Sequence, residues 1–312
     1  MHNGFIFPSA LAKGDTVGII SPASPVKKEY IEGLCASLGK AGYDAIVAHS
    51  AACAPNGSYA ASLHDRLKDI IAMLSDSRIK AIFCSRGGYG AAQLLPYIPA
   101  AILRANPKWL IGFSDISALH SFWLSHGVAS VHAPMAKHFA ELGNGDRCSA
   151  ALLSVLAGEL PAYSVEPHPF NTPGTAEGYL KGGNLAVLDG LASTPFDLLS
   201  CQSCKDSIIF IEDIAEPIYK IDRMLWRLYM SGTLSAAKGL IIGQFTEYNP
   251  DRNFNSVEEM IRDRLTLWKL DIPVAFNFPC GHVDVNLPLV EGAWARLSVE
   301  DNNVSLEMSR KR

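Results

Sequence analysis

The chain has 312 residues, with 27 Lys+Arg against 31 Asp+Glu and a formal net charge of −4. Charges this balanced, with no basic run before the last few residues, exclude the electrostatic footprint of a nucleic-acid or anionic-membrane binder and leave a small molecule or peptide as partner. The length exceeds one ordinary core, so two domains are expected, and no apolar run approaches the roughly 20 residues of a membrane span.

The opening Met-His-Asn-Gly-Phe-Ile-Phe-Pro has no basic segment leading into a long apolar one, so a cytoplasmic address is expected. From Thr16 to Ser21 a continuous apolar run reads as a parallel strand covered on both faces. A helical segment to about Ala41 and a second strand from Tyr43 to Ala48 follow. Leu63, Leu67, Ile70, Ile71 and Leu74 then recur at helical spacing behind Ser62, which stands where an N-cap belongs. A third strand, Ile79 to Cys84, runs into Ser85-Arg-Gly-Gly-Tyr-Gly90, a fourth spans Trp109 to Phe113, and a fifth Val128 to His132. Strands alternating with helices predict a doubly wound parallel sheet that binds ligands at the C-terminal strand edge.

Between about Gly158 and Gly178 the chain is rich in proline and small polar residues, so residues 161–177 are expected to link a domain of residues 1–160 to one of 178–312. The second half offers apolar runs at Ile208–Ile211, Leu240–Ile242, Val274–Phe276, Ala293–Val299 and Val304–Met308, with helices at Ile218–Tyr229 and Val257–Trp268, and reads as strand-rich. Seven scattered cysteines fit reduced thiols rather than a disulfide framework. Cys201-Gln-Ser-Cys204 is a lone C-x-x-C, without a second pair or a histidine at ligand spacing, and reads as a polar loop before a strand.

Three stretches carry chemistry. The fourth strand ends abruptly at Gly112-Phe-Ser114-Asp-Ile116, which keeps the first glycine of a nucleophile elbow and replaces the second by isoleucine. The plain alternative is that Ser114 and Asp115 cap the helix from Ile116 to about Ser125. The glycine loop Arg86–Gly90 can point backbone N–H groups at a phosphate or an oxyanion, or simply make a tight turn. Glu212, still in a hydrophobic strand, could orient a histidine, whereas Asp213 and Glu216 fit an acidic first turn before the Ile218 helix. His132 and His282 are both candidate bases, which spacing does not separate; His120, on the helix after Ser114, would face elsewhere.

Together, Gly18-Ile-Ile-Ser-Pro-Ala-Ser24, Ser85-Arg-Gly-Gly-Tyr-Gly90, Gly112-Phe-Ser-Asp115, Leu180-Lys-Gly-Gly-Asn-Leu185, Ile211-Glu-Asp213, Tyr219-Lys-Ile-Asp-Arg223 and Gly281-His282 resemble the LD-carboxypeptidases. These are the muramoyltetrapeptide carboxypeptidases of serine peptidase family S66, which also includes the microcin C self-immunity proteins. The resemblance runs from about Lys13 to Leu297. It implies a flavodoxin-like N-terminal domain and a smaller β-rich swivelling C-terminal domain. It also implies a triad of Ser114 (nucleophile), His282 (general base, then acid) and Glu212 (orienting the imidazole), split between domains so that the cleft lies at their interface. Gly87, Gly88 and the N–H of Asp115 would form the oxyanion hole. Arg86 and His132 become substrate-side or structural residues, no metal or cofactor is required, and a homodimer is expected. The implied substrate is the murein tetrapeptide, cut between meso-diaminopimelate and the terminal D-alanine during cell-wall recycling. The microcin branch would cleave an aminoacyl-nucleotide amide and want an aromatic such as Tyr163 or Phe170 to stack the base. A reading of another class is a flavodoxin-like phosphate-binding module in which Gly87 to Gly90 cradle the ligand and Ser114 only caps a helix.

Overall fold

The computed structural model describes residues 4–311; the outermost residues of the two expected domains, 1–3 and 312, lie outside the described residues. The strands in chain order are β1 (Thr16–Ile20), β2 (Asp44–Val47), β3 (Ile79–Cys84), β4 (Trp109–Gly112), β5 (Ser130–His132), β6 (Ala162–Val165) and β7 (Gly174–Asn184). They continue with β8 (Ser207–Ile214), β9 (Gly239–Thr246), β10 (Val274–Ala275), β11 (Leu289–Glu291), β12 (Trp294–Glu300) and β13 (Asn303–Ser309). Two compact units result: residues 1–161 with 284–292, and residues 162–283 with 293–312. Among the described residues no helix is long and apolar enough to cross a membrane.

The first unit is built on a sheet of order β2-β1-β3-β4-β5-β11. Strands β1 to β5 are parallel in the flavodoxin-like order 2-1-3-4-5, as the strand–helix alternation predicts. β1, β3 and β4 bury nearly every residue, which is why they read as unbroken apolar runs. The loops after β1, β3 and β4 therefore leave from the same C-terminal edge. β11 was not expected: it pairs antiparallel with β5, Leu289 opposite His132 and Glu291 opposite Ser130, so the expected 178–312 domain lends a strand to the first sheet.

The helix Leu63–Ser75 forms as its spacing predicts, and Ser62 Oγ accepts the Asp65 N–H at 3.1 Å. Its buried face differs from the expected one, however: Arg66, Asp69, Ile70, Met73 and Leu74 are buried while Leu63 is exposed. The two charged residues go inside because backbone groups of neighbouring segments satisfy them, as with Ser50 N–H donating to Asp69 Oδ2 at 2.6 Å.

The second unit is a seven-stranded mixed sheet of order β10-β9-β8-β7-β12-β13-β6. The expected linker is not one throughout: Ala162–Val165 is an edge strand on β13, and Thr172 bridges Val274. Pro161, Pro167, Pro169 and Pro173 flank these pairings, where no ladder hydrogen is needed. The helix Ile218–Met230 buries Ile218, Ile221, Leu225 and Leu228, the face its spacing marks.

Candidate active site

At the end of β4 the chain turns sharply. Phe113 is extended (φ −152°, ψ −172°), and Ser114 takes φ +66°, a left-handed conformation uncommon for a residue with a Cβ. A 3₁₀ turn, Ser114–Ile116, then leads into the helix Ser117–Ser125. The cap positions of these two elements are Phe113 and Ile116, whose side chains carry no hydrogen-bonding group. Such a conformation costs about 1–3 kcal/mol, and Ser193, Asp206, Ala215, Glu247, Lys269 and Asn277 share its positive φ. The departure from the two-glycine elbow also has a physical reason. A Cβ on Gly112 would stand 3.0 Å from two side-chain carbons of Ile116, so the isoleucine occupies space that Gly112 leaves open.

The glycine loop packs directly on this corner. A Cβ on Gly87 would lie 2.9 Å from Ser114 Cβ, 3.1 Å from Ser114 Oγ and 3.1 Å from the Asp115 nitrogen. Gly88 (φ +102°) meets Ser24 of the loop after β1, where a Cβ would be 2.3 Å from Ser24 Oγ, and Tyr89 N–H donates to that same oxygen at 3.2 Å. Sequence reasoning missed the residue that ties these loops together. Buried Arg66 donates to Pro22 O (2.7 Å), Gly90 O (3.0 Å), Ala61 O (3.2 Å) and Gln93 Oε1 (2.9 Å), with Tyr59 under its guanidinium at 4.8 Å. Asp115 closes the loop from the other side, its Oδ2 accepting the Ala91 N–H at 2.9 Å. Burial raises its carboxyl to about 6, against the lowering effect of the Ala91 and Gly90 N–H groups and the Arg66 charge.

In the second unit, Glu212 and His282 meet although 70 residues separate them: His282 Nδ1 is 2.8 Å from Glu212 Oε2. Glu212 is fully buried on β8, whereas the His282 side chain keeps 15% exposure. The register between β8 and β9 shifts at Glu212, and the loop Phe278–His282 runs beside β9, with Phe278 N–H donating to Ile242 O (3.0 Å) and Gln244 N–H to Cys280 O (2.9 Å). Gly281 (φ +115°) allows the approach, since a Cβ there would stand 2.7 Å from Glu212 Oε2. Burial works against a charged imidazole, but the Glu212 hydrogen bond and the charges of Glu212, Asp213 and Glu247 outweigh it and raise the His282 pKa above its ordinary value.

Asp213 belongs to β8 rather than to the first turn of the Ile218 helix, correcting the sequence expectation. It accepts from Asn184 Nδ2 (2.9 Å) and Ala186 N–H (2.8 Å), and desolvation, then the Glu212 charge, raise it to about 6. His132 is fully buried on β5 with its ring against Phe113 (5.7 Å), so it presents no surface to a substrate in this arrangement. Arg86 is exposed, and its Nη1 donates to Pro25 O at 3.0 Å. Cys201 and Cys204 form a one-turn helix rather than a loop; both are free, and burial pushes the Cys204 thiol up to about 12. Among the described residues, His138, Asp146 and Cys148 bring possible metal-ligand atoms within 4.8 Å of one another, but Asp146 there caps the helix Arg147–Leu156 and accepts from Cys148 and Ser149 N–H groups.

The family model described as LD-carboxypeptidase N-terminal domain matches residues 17–133, and that described as LD-carboxypeptidase C-terminal domain matches residues 177–297. The chain is 31% identical to the probable murein peptide carboxypeptidase of Bacillus subtilis, over 96% of this chain and 94% of that one. It is likewise 31% identical to the murein tetrapeptide carboxypeptidase of Pseudomonas aeruginosa, over 85% and 87%. Among solved structures, the muramoyltetrapeptide carboxypeptidase of Oxalobacter formigenes superposes with a TM-score of 0.83 at 25% identity, covering 94% of this chain and 98% of that one. The microcin C7 self-immunity protein MccF shares the fold, with a TM-score of 0.84 at 20% identity over 99% of each chain.

Proposed function

Since the chain belongs to the LD-carboxypeptidase family, serine peptidase family S66, we propose that it is a serine carboxypeptidase that removes the terminal D-alanine of the murein tetrapeptide. Ser114 is the nucleophile, His282 the general base and acid, and Glu212 the residue that orients the imidazole. One observation carries the reading: a half-sequestered histidine held at 2.8 Å by a fully buried carboxylate, in a chain whose serine stands at a strained strand-to-helix corner. With Nδ1–H committed to Glu212, Nε2 is the nitrogen that exchanges protons. It takes the Ser114 hydroxyl proton as Oγ attacks the carbonyl between meso-diaminopimelate and D-alanine, which requires the two groups to come within about 3 Å. The N–H groups of Gly87, Gly88 and Asp115 receive the oxyanion. Imidazolium then protonates the departing amine of D-alanine, and water hydrolyses the acyl-enzyme through the same base.

The structure of MccF with aspartyl sulfamoyl adenosine gives the competing substrate class its form. The two aromatics that could stack a base are otherwise engaged here: Tyr163 is buried against Phe278, and Phe170 has the Arg262 guanidinium over its face at 4.4 Å. The deciding experiment offers murein tetrapeptide and an aminoacyl-sulfamoyl-adenosine side by side. Release of D-alanine with the adenylate analogue untouched is expected, and the reverse would overturn the substrate while leaving the triad standing. The same reading carries a homodimer and a cytoplasmic address, which light scattering and cell fractionation check.

A further inference from the structure

We propose that His120 is a positioning residue for the nucleophile, clamping the strand before the corner to the helix after it so that the chain is held through Ser114 in its left-handed conformation. The proposal rests on the reading of Ser114 as nucleophile. His120 lies on the helix that follows the corner and is fully buried, yet both ring nitrogens are engaged. Nε2 is 2.9 Å from the carbonyl oxygen of Gly112, two residues before Ser114, and Nδ1 is 2.8 Å from Ser130 Oγ on β5. The Gly112 carbonyl also accepts the Ala133 N–H at 3.0 Å, so the end of β4 is fixed from two sides.

The proton assignment follows from the partners. A carbonyl only accepts, so Nε2 carries the hydrogen. Burial drives the His120 pKa down to about 4, which keeps the ring neutral, so the Ser130 hydroxyl donates to bare Nδ1. Glu291 of β11, equally buried, brings Oε1 to 3.6 Å from the same nitrogen. A helix face that needed only packing would carry leucine here, because an enclosed imidazole is costly unless its polar atoms are matched. What the histidine adds is a second tie on the carbonyl that leads into Ser114. A left-handed serine persists only when its surroundings over-determine it.

The test measures kcat, KM and thermal melting on the tetrapeptide for the wild type, His120→Leu, His120→Gln and Ser130→Ala, with Ser114→Ala as the inactive reference. His120→Leu keeps volume and removes both ties; a misplaced nucleophile should lower kcat by about 100-fold with KM nearly unchanged. His120→Gln, whose amide can still donate to Gly112 O, should recover most of that loss, a rescue that mere core filling would not produce. Should the leucine variant fail to fold, Ser130→Ala removes only the Nδ1 partner and is expected to lower kcat by about 3- to 10-fold. A folded His120→Leu with wild-type kcat, a glutamine variant no better than leucine, or an unaffected Ser130→Ala sinks the proposal. An active Ser114→Ala sinks the reading of Ser114 as well, so the two failures are told apart.

Discussion

At the corner after β4 the backbone does the positioning: Ser114 sits at φ +66°, Gly87 leaves the space beside its hydroxyl, and buried Arg66 laces the surrounding loops by their carbonyls. Around His282 the side chains do it, through one buried carboxylate, a 2.8 Å hydrogen bond and the field of Asp213 and Glu247. The two regions should therefore fail differently. The corner should answer first to an added Cβ at Gly87, the Glu212–His282 pair first to a change of charge.

The sharpest test of that contrast replaces Ser114, the proposed nucleophile. Ser114→Ala and Ser114→Gly should both lower kcat by about five to six orders of magnitude while the protein stays folded. Glycine relieves the positive φ and alanine does not, so Ser114→Gly should melt higher than Ser114→Ala, by up to about 1 kcal/mol. A Ser114→Gly that melted well below Ser114→Ala would show that the corner is not strained.

Next come the two candidate bases. His282→Ala should cost several orders of magnitude in kcat and His132→Ala far less, with circular dichroism checking both folds; the opposite ranking would move the base to the first unit. Charge then enters through Glu212. Because the His282 pKa is raised above 6.5, and the base must be unprotonated, the acid limb of kcat/KM should lie above that value. Glu212→Gln removes the charge that raises it, so the limb should move to lower pH while kcat falls by about 10⁴-fold. A limb that stayed in place would detach Glu212 from the base.

A smaller effect than at the triad positions is expected at Gly87→Ala. The new methyl would press on Ser114 Cβ and Oγ, and a loss of about 100- to 1,000-fold in kcat, without a change in the pH profile, is the signature of a displaced oxyanion donor. A shifted profile would mean that the loop also acts on the titrating pair.

The first unit's strands and the Ser114 corner were legible because continuous apolar runs ending in Gly, Ser or Pro leave few alternatives to a covered parallel strand. Arg66 was not, since a charge on an amphipathic helix reads as solvated and only the loop carbonyls around it reveal otherwise. Nor could spacing bring out the contact of His282 with Glu212, which is 70 residues away and whose close approach depends on a glycine at 281. β6 was hidden among prolines, and β11, three residues long, falls below any periodic signal.

That three-residue strand governs how the molecule can be taken apart. The N-terminal family match ends at residue 133, and a truncation after residue 161 would look like a clean domain, yet it would discard Leu289–Glu291. The fragment's β5 would become an open edge, its N–H and C=O groups at Ser130 to His132 ready to pair with another chain. Neither unit is a contiguous stretch of the chain, so a crossover that swaps the C-terminal half also swaps the strand that finishes the first unit's sheet.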